Sequence, residues 1–433
     1  MNRHYYYLIF TAIFASFVAL SSIRCAAQST YDYATGTRAT RLWIPPGLDT
    51  IRGIFIYGNG AGGDSRGEVD IPWNQVFAYE HGFAMIATSM WGNLSGSEIN
   101  IWDSHLANLA GVSGHPELVN APWAPIGFSN GGQMSYGFNA LRPDKTIAFV
   151  TNKGCCYNIA QPSAAALNTP GILIAGELDT ALRRTNIKAL FDNNRRRGAL
   201  WSWVEQQGEA HTGRADAMIL PFMAEAIRLR YPTGQLPTAT QGVTLNSVTE
   251  TGGWLTNQST WKSGLTEIAD YDDYSAGKLS AGWLLNENVA FIYRAFSTYD
   301  RDATLSFDLD LPFELEAWVG LAGEPLPLTL DLTAAPDWSK ITLYNYAKPV
   351  LDIDRASLPD SLLSLNVPIP NGGSYAFSAL VTHSSGHIST TNPLAYYVVA
   401  IPEPNGLILL CVAVAFLVNQ RKPGRLLVAT SEH

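Results

Sequence analysis

The chain has 433 residues, 47% of them hydrophobic and 15% charged, which excludes a disordered polymer and leaves room for two folded domains. A formal charge of −9 excludes a global basic field that would draw the protein to nucleic acid or anionic lipid. None of its 4 cysteines has metal-ligand spacing, so no zinc site is expected, and no cofactor motif takes its place.

In chain order the first element is an export signal over residues 1–27. Arg3 and His4 give a weakly basic start, Tyr7 to Leu20 an apolar stretch, and Ser21 to Ala27 a small-residue region suited to cleavage by signal peptidase before Gln28. Arg24 stands directly before Cys25, where a lipoprotein signal needs a small residue.

From about residue 40 to 232 apolar strands alternate with helical stretches, the pattern of an α/β fold, and the catalytic domain is expected over 28–232. Gly53 to Tyr57 reads as a buried strand that runs into the glycine-rich turn Gly58-Asn59-Gly60-Ala61-Gly62-Gly63. Phe83 to Thr88 is a second strand and Ile147 to Thr151 a third, while Gly171 to Ala175 and Leu200 to Val204 complete the series. Arg214 to Arg230 is helical, with Pro221 expected to kink or divide it. Arg195-Arg196-Arg197, at the end of a helical stretch, reads as a solvated face.

Between these strands lies Gly127-Phe128-Ser129-Asn130-Gly131. Ser129 follows the short strand Trp123 to Ile126, and Met134, Phe138 and Leu141 recur behind it at helical spacing. The pattern predicts a strand–elbow–helix with Ser129 as nucleophile and Gly127 and Gly131 relieving the crowding. Pro125 cannot donate within a central strand, so the strand is expected to be short or irregular there.

A serine nucleophile needs a base, an acid to orient that base, and donors for the oxyanion. Asp179, beyond the apolar run "GILIA", is the expected acid, with Glu177 as its competitor. His211, in the loop after "LWSWV", is the expected base. The backbone N–H of Asn130 and that of Asn59 or Gly60 are the expected oxyanion donors. Trp91, Trp123 and Tyr157 are candidates to line a substrate cleft, with the core as the alternative place for the two indoles; His105 and His115 read as structural or surface residues, with the cleft as their alternative. After processing only Cys155 and Cys156 remain, and a vicinal disulfide and two free thiols both fit the sequence.

Residues 233–300 are rich in Thr, Gly and Trp, with poor periodicity, and read as a connecting subdomain in which Trp254, Trp261 and Trp283 can anchor packing. From 301 to 400 short alternating strands follow. Leu326, Leu328, Leu330 and Leu332 repeat at every second position, and Ser385-Gly386 marks a tight turn. This stretch resembles a bacterial immunoglobulin-like module, which implies a spacer or a binding accessory. Finally, Ile401-Pro402-Glu403-Pro404 precedes the apolar run Gly406 to Val418 and the basic residues Arg421, Lys422 and Arg425. The run is shorter than the roughly 20 residues that span a bilayer comfortably. Residues 401–425 resemble a PEP-CTERM sorting tail, which implies transient membrane anchoring, cleavage by an exosortase, and delivery to the cell surface or beyond. Residues 426–433 are a short tail.

The set "IYGNGAGG", "GFSNGG", "GELD" and "EAHTG" resembles the α/β-hydrolase superfamily over roughly residues 40 to 232, and its elbow is similar to those of polyhydroxyalkanoate-depolymerase-like, feruloyl and acetylxylan esterases. The resemblance implies a mostly parallel sheet flanked by helices and a secreted serine esterase that needs no cofactor. Its substrate would be an ester, one carried by an extracellular polysaccharide among the options. Tyr57 departs from the pattern, because many relatives carry His before the oxyanion glycine. Two other readings stay open: a non-catalytic surface protein on a hydrolase scaffold, and a lipase or serine peptidase.

Overall fold

The computed structural model describes residues 29–399, apart from 90, 213, 309–314 and 357–359. The expected export signal and sorting tail lie outside the described residues. Among the described residues no helix is long and apolar enough to cross a membrane.

Alternation along the strands builds the N-terminal half. Leu42, Ile54, Ile56 and Ile86 point to one face of a sheet, and their neighbours Trp43, Phe55 and Met85 point to the other; all seven are fully buried. The strands are β1 (Ser29–Thr35), β2 (Arg38–Ile44), β3 (Gly53–Gly58), β4 (Phe83–Ser89), β5 (Trp123–Phe128), β6 (Phe149–Asn152), β7 (Gly171–Gly176) and β8 (Trp201–Gln206). They form one sheet in the order β1-β2-β4-β3-β5-β6-β7-β8. Strand β2 pairs antiparallel with both β1 and β4, and the remaining pairs are parallel, so the sheet is mostly parallel as expected.

Helices α1 (Pro72–His81), α2 (Gly96–Ser113), α3 (Asn130–Leu141), α4 (Ala164–Leu167), α5 (Ala181–Arg195) and α6 (Asp216–Arg230) connect and cover these strands. Helix α6 runs through Pro221 undivided. Strand β5 is continuous with β3 through Pro125, but on its other edge the ladder with β6 begins only at Ile126, after an isolated bridge at Trp123, the irregular entry expected of a proline there. The carbonyl of Ile147, which an N–H at position 125 would have met, accepts from Arg230 at 2.5 Å instead.

The connecting segment forms a small sheet, β9 (Trp254–Asn257), β10 (Glu267–Asp270) and β11 (Gly282–Leu284), followed by α7 (Glu287–Ser297). Trp261 and Trp283 are buried in it, and Trp261 packs on Trp203 of β8 at 4.9 Å. Arg195 corrects the reading of the arginine run as a solvated face. It is fully buried and donates to the carbonyls of Ala199, Lys278 and Ala281, and to Glu250 at 2.6 Å. Only Arg196 and Arg197 are exposed. The end of α5 is thereby tied to the connecting segment.

The C-terminal module consists of β12 (Thr304–Phe307), β13 (Ala317–Leu321), β14 (Leu326–Asp331), β15 (Trp338–Asn345), β16 (Lys348–Asp354), β17 (Leu362–Val367), β18 (Gly373–His383), β19 (Ile388–Thr390) and β20 (Leu394–Val399). Strands β12, β14 and β17 form one sheet, and the others form a second. Leu326, Leu328, Leu330 and Leu332 face Ile341, Leu343, Phe377 and Val398 in the core between them.

Strand β20 is buried on both faces. Tyr396 and Val398 enter the module's own core, whereas Ala395, Tyr397 and Val399 share a core with Phe77 of α1 and Met218 of α6. The rings of Tyr397 and Phe77 meet edge to face at 5.7 Å. A detached spacer would not bury its outer face in this way; the module and the N-terminal half share one core.

Candidate active site

Ser129 sits between the end of β5 and the start of α3 with φ 54° and ψ −116°, a left-handed conformation that costs a non-glycine residue about 1–3 kcal/mol. Its surroundings enforce the turn. The Ser129 N–H donates to the carbonyl of Asn152 at 2.8 Å, and Gly131 N–H donates to the carbonyl of Asn59 at 2.7 Å. A Cβ on Gly127 would stand 1.8 Å from the Gly131 oxygen, and one on Gly131 would stand 2.1 Å from the Gly58 carbonyl carbon. Both elbow glycines are therefore required by close backbone approach.

The three expected side chains meet. His211 Nε2 lies 2.9 Å from Ser129 Oγ, and His211 Nδ1 lies 2.7 Å from Asp179 Oδ2. The other Asp179 oxygen accepts from the Thr180 N–H at 2.7 Å and from Arg183 at 3.4 Å. Burial alone would raise the Asp179 carboxyl. Hydrogen bonds from His211 and Thr180, with the charge of Arg183, outweigh it and hold the group below its ordinary value. Glu177, the competing acid, is engaged elsewhere: it accepts from Gly208 N–H at 3.0 Å and pairs with Lys262 at 3.6 Å. Phe128 lies beside the imidazole, ring to ring at 5.1 Å.

The oxyanion donors can be narrowed. In the first turn of α3, Gly131 N–H goes to Asn59 and the N–H groups of Gly132 and Gln133 go to the Ser129 carbonyl. The Asn130 N–H is left at the positive end of the helix, next to the nucleophile. Gly60 N–H is taken by the side-chain oxygen of Asn59 at 2.7 Å, so of the two upstream candidates Asn59 is the one whose N–H is not spent in this contact. Gly60 instead borders the space above Ser129: a Cβ there would be 3.5 Å from Ser129 Cβ.

The aromatic candidates are corrected. Trp123 is fully buried at the start of β5, the opposite end of the strand from Ser129, and packs on Trp102 and Phe138. Trp91 is 3% exposed and packs on Trp102 and His105, so neither indole faces a cleft. Tyr157 turns its hydroxyl inward to Thr151 Oγ1 at 2.6 Å, behind the elbow. His105 is fully buried against Thr40, and His115 pairs with Glu117. Cys155 and Cys156 are joined as a vicinal disulfide.

Residue type alone does not make such a site. In the C-terminal module Ser389 Oγ lies 3.2 Å from His383 Nε2, and His383 Nδ1 lies 2.7 Å from Asp337. There the serine is fully buried and donates to Asp302, which also meets His383 Nε2 at 2.8 Å. That group ties strands together. Ser129, by contrast, is partly exposed, and its hydroxyl faces Nε2 of an imidazole whose Nδ1 is held by Asp179.

Sequence reasoning missed the residues that hold the base loop. Arg214 donates to Asp216 at 2.6 Å, to Glu68 at 3.1 Å and to the Tyr57 hydroxyl at 3.3 Å. Lys153 is fully buried and donates to Gln206 at 2.6 Å. A lysine ending an apolar strand was the one available signal.

No family model matches the chain, and no curated protein matches it. Solved structures do. A thermostable esterase is 15% identical, with 41% of this chain and 54% of that one covered and a TM-score of 0.34. Acetyl xylan esterase from Aspergillus awamori is 14% identical, covering 38% and 77%, with a TM-score of 0.29. The fibronectin(III)-like modules of Clostridium thermocellum CbhA are 17% identical, covering 23% and 98%, with a TM-score of 0.18. This chain thus spans about half the length of the thermostable esterase. The chemistry of the site rests on its own geometry.

Proposed function

We propose that the protein is a serine hydrolase of carboxylic esters acting through an acyl-enzyme. The observation that carries this reading is the unbroken relay Ser129–His211–Asp179, with spacings of 2.9 and 2.7 Å, on a strained elbow. Ser129 Oγ attacks the ester carbonyl while His211 Nε2 takes its proton. Asp179 fixes the tautomer and stabilises the imidazolium that forms. The N–H groups of Asn130 and Asn59 receive the developing oxyanion, a contribution of about 3–4 kcal/mol per donor. His211 then returns the proton to the leaving alcohol, and water hydrolyses the acyl-enzyme by the same route.

The experiment is turnover of p-nitrophenyl acetate by the purified protein and by Ser129→Ala. A loss of at least about 10³-fold in kcat on substitution supports the reading; equal background rates in both proteins reject it. The export signal and sorting tail of the sequence complete the proposal: the enzyme works on extracellular esters after processing by signal peptidase and exosortase. A mature N-terminus at Gln28, read by mass spectrometry of the surface fraction, checks the first of these steps.

A further inference from the structure

We propose that Glu316, supplied by the C-terminal module, is a positioning residue for His211, so that the catalytic unit includes that module. The inference rests on the triad reading above.

The base loop, residues 207–215, has two stems: Gln206 at the end of β8, and Asp216 and Ala217 at the start of α6. One carboxylate touches both. Glu316 Oε1 accepts from Gln206 Nε2 at 3.4 Å, and Oε2 accepts from Ala217 N–H at 3.5 Å. The carboxylate is held from its own side, because the Glu316 carbonyl accepts from Ala395 N–H of β20 at 2.9 Å. Strand β20 is in turn locked to α1 and α6 through Tyr397 and Val399.

Gln206 extends the clamp toward the nucleophile. Its Nε2 also donates to the Arg214 carbonyl at 2.6 Å, three residues beyond His211. Its Oε1 accepts from Lys153 Nζ at 2.6 Å. Lys153 directly follows Asn152, whose carbonyl holds Ser129 N–H. Lys153 has φ 54°, a strained conformation kept by N–H donation to Ile174 at 2.6 Å and by its buried side chain. A chain of contacts therefore runs from the module through Gln206 to both the base loop and the segment behind the nucleophile.

The charges on this chain are unusual for a spacer contact. Burial, reinforced by Asp216, pushes the Glu316 carboxyl up to about 7, against the pull of the Ala217 N–H and Lys153. Burial brings the Lys153 amine down to about 8, opposed by Glu209, Glu316 and Asp179. Arg301 lines the same junction, a cavity of about 410 Å³ that also borders Gln206 and Glu209. Removing one member of a buried polar network leaves its partners unsatisfied, and here the partners are the stems of the base loop. A displacement of about 1 Å at a catalytic group can cost about 10²-fold in rate.

The test compares full-length wild type, Ser129→Ala, Glu316→Ala and Glu316→Gln on p-nitrophenyl acetate, with rates expressed per active site titrated by a fluorophosphonate. The expected result is a fall of about 10- to 100-fold in kcat for Glu316→Ala at a temperature where it is folded, with KM within about twofold of wild type. Glu316→Gln, which keeps one acceptor, is expected to recover part of the loss. A merely structural role lowers the melting temperature and leaves kcat per titrated site unchanged, which overturns the inference while the triad stands. Absence of Ser129-dependent turnover in wild type overturns the hydrolase reading and this one with it. If Glu316→Ala does not fold, Gln206→Met keeps the volume, removes the bridging amide and carries the same expectation; unchanged kcat in that variant overturns the inference equally.

Discussion

The guanidinium of Arg214 lies 3.1 Å from the carboxylate of Glu68, joining the loop that carries His211 to the segment that follows the glycine-rich turn. The same guanidinium reaches Asp216 at 2.6 Å and lies over the rings of Tyr57 and Trp73. Tyr57 itself directly precedes Gly58 and Asn59. One side chain thus ties the loop of His211 to the strand that leads into the glycine-rich turn.

Arg214→Lys is therefore not conservative, because an ammonium cannot fork to two carboxylates and stack on two rings. It is expected to lower kcat about tenfold or more, with a loss of about 1–3 kcal/mol in stability, since the cluster is only partly buried. Steady-state kinetics and urea denaturation of the same samples check this. Unchanged kcat would show that Arg214 serves the fold alone.

Asp179 gives a pH signature whose sign follows from its direction of shift. Its folded carboxyl lies below the ordinary value, so ionisation is favoured by folding. The resulting stabilisation is fully present above about pH 4, the unfolded value, and is lost as pH falls from there through the folded value. Asp179→Asn removes the titration. The stability gap between wild type and Asp179→Asn, measured by denaturant titration, is expected to be constant near neutrality and to shrink below about pH 4. At neutral pH the variant is expected to lose about 10³- to 10⁴-fold in kcat, because the imidazole takes the wrong tautomer.

Gly131 of the elbow and Gly60 of the facing glycine-rich turn separate fold from chemistry. A Cβ on Gly131 would meet backbone at 2.1 Å and cannot be accommodated without moving β3 against α3. Gly131→Ala is expected to cost about 3 kcal/mol or more and to abolish turnover. A Cβ on Gly60 finds ordinary contacts, 3.5 Å to Ser129 Cβ and 3.6 Å to the Phe128 ring. Gly60→Ala is expected to melt with wild type yet to lose kcat/KM more for bulky acyl groups than for acetyl. Differential scanning calorimetry and a series of p-nitrophenyl esters distinguish the two outcomes.

The Ser129–His211–Asp179 set was legible because each member lies just past the C-terminal end of a parallel strand, Ser129 immediately and Asp179 and His211 in the loops that follow, so that chain order carries all three to the same edge of the sheet. Trp91 and Trp123 were not, since an indole beside a motif reads identically whether it faces a cleft or a core. The Glu316 contact is invisible for a stronger reason: its partner Gln206 lies 110 positions away, and no periodicity relates them. The shared core was hidden similarly. Strand β20 reads as a continuous apolar run, which fits any strand buried on both faces, and only its packing on α1 shows what covers the second face.

Arg195 supplies the last prediction, one that separates stability from activity. Its guanidinium is fully buried and binds three carbonyls and Glu250, none of them at the triad. Arg195→Met keeps much of the apolar stem but strands these acceptors, and Glu250 retains a partly buried charge without its partner. Breaking a buried pair from one side costs about 3–5 kcal/mol, and the partial exposure of Glu250 places the expected loss at the lower end. Because the C-terminal end of α5, where Arg195 sits, contacts none of Ser129, His211 and Asp179, kcat below the unfolding transition is expected to stay within about twofold of wild type. A shift in the urea midpoint with unchanged m and unchanged kcat is the result anticipated. A drop in m would instead show that the connecting segment unfolds separately from the sheet.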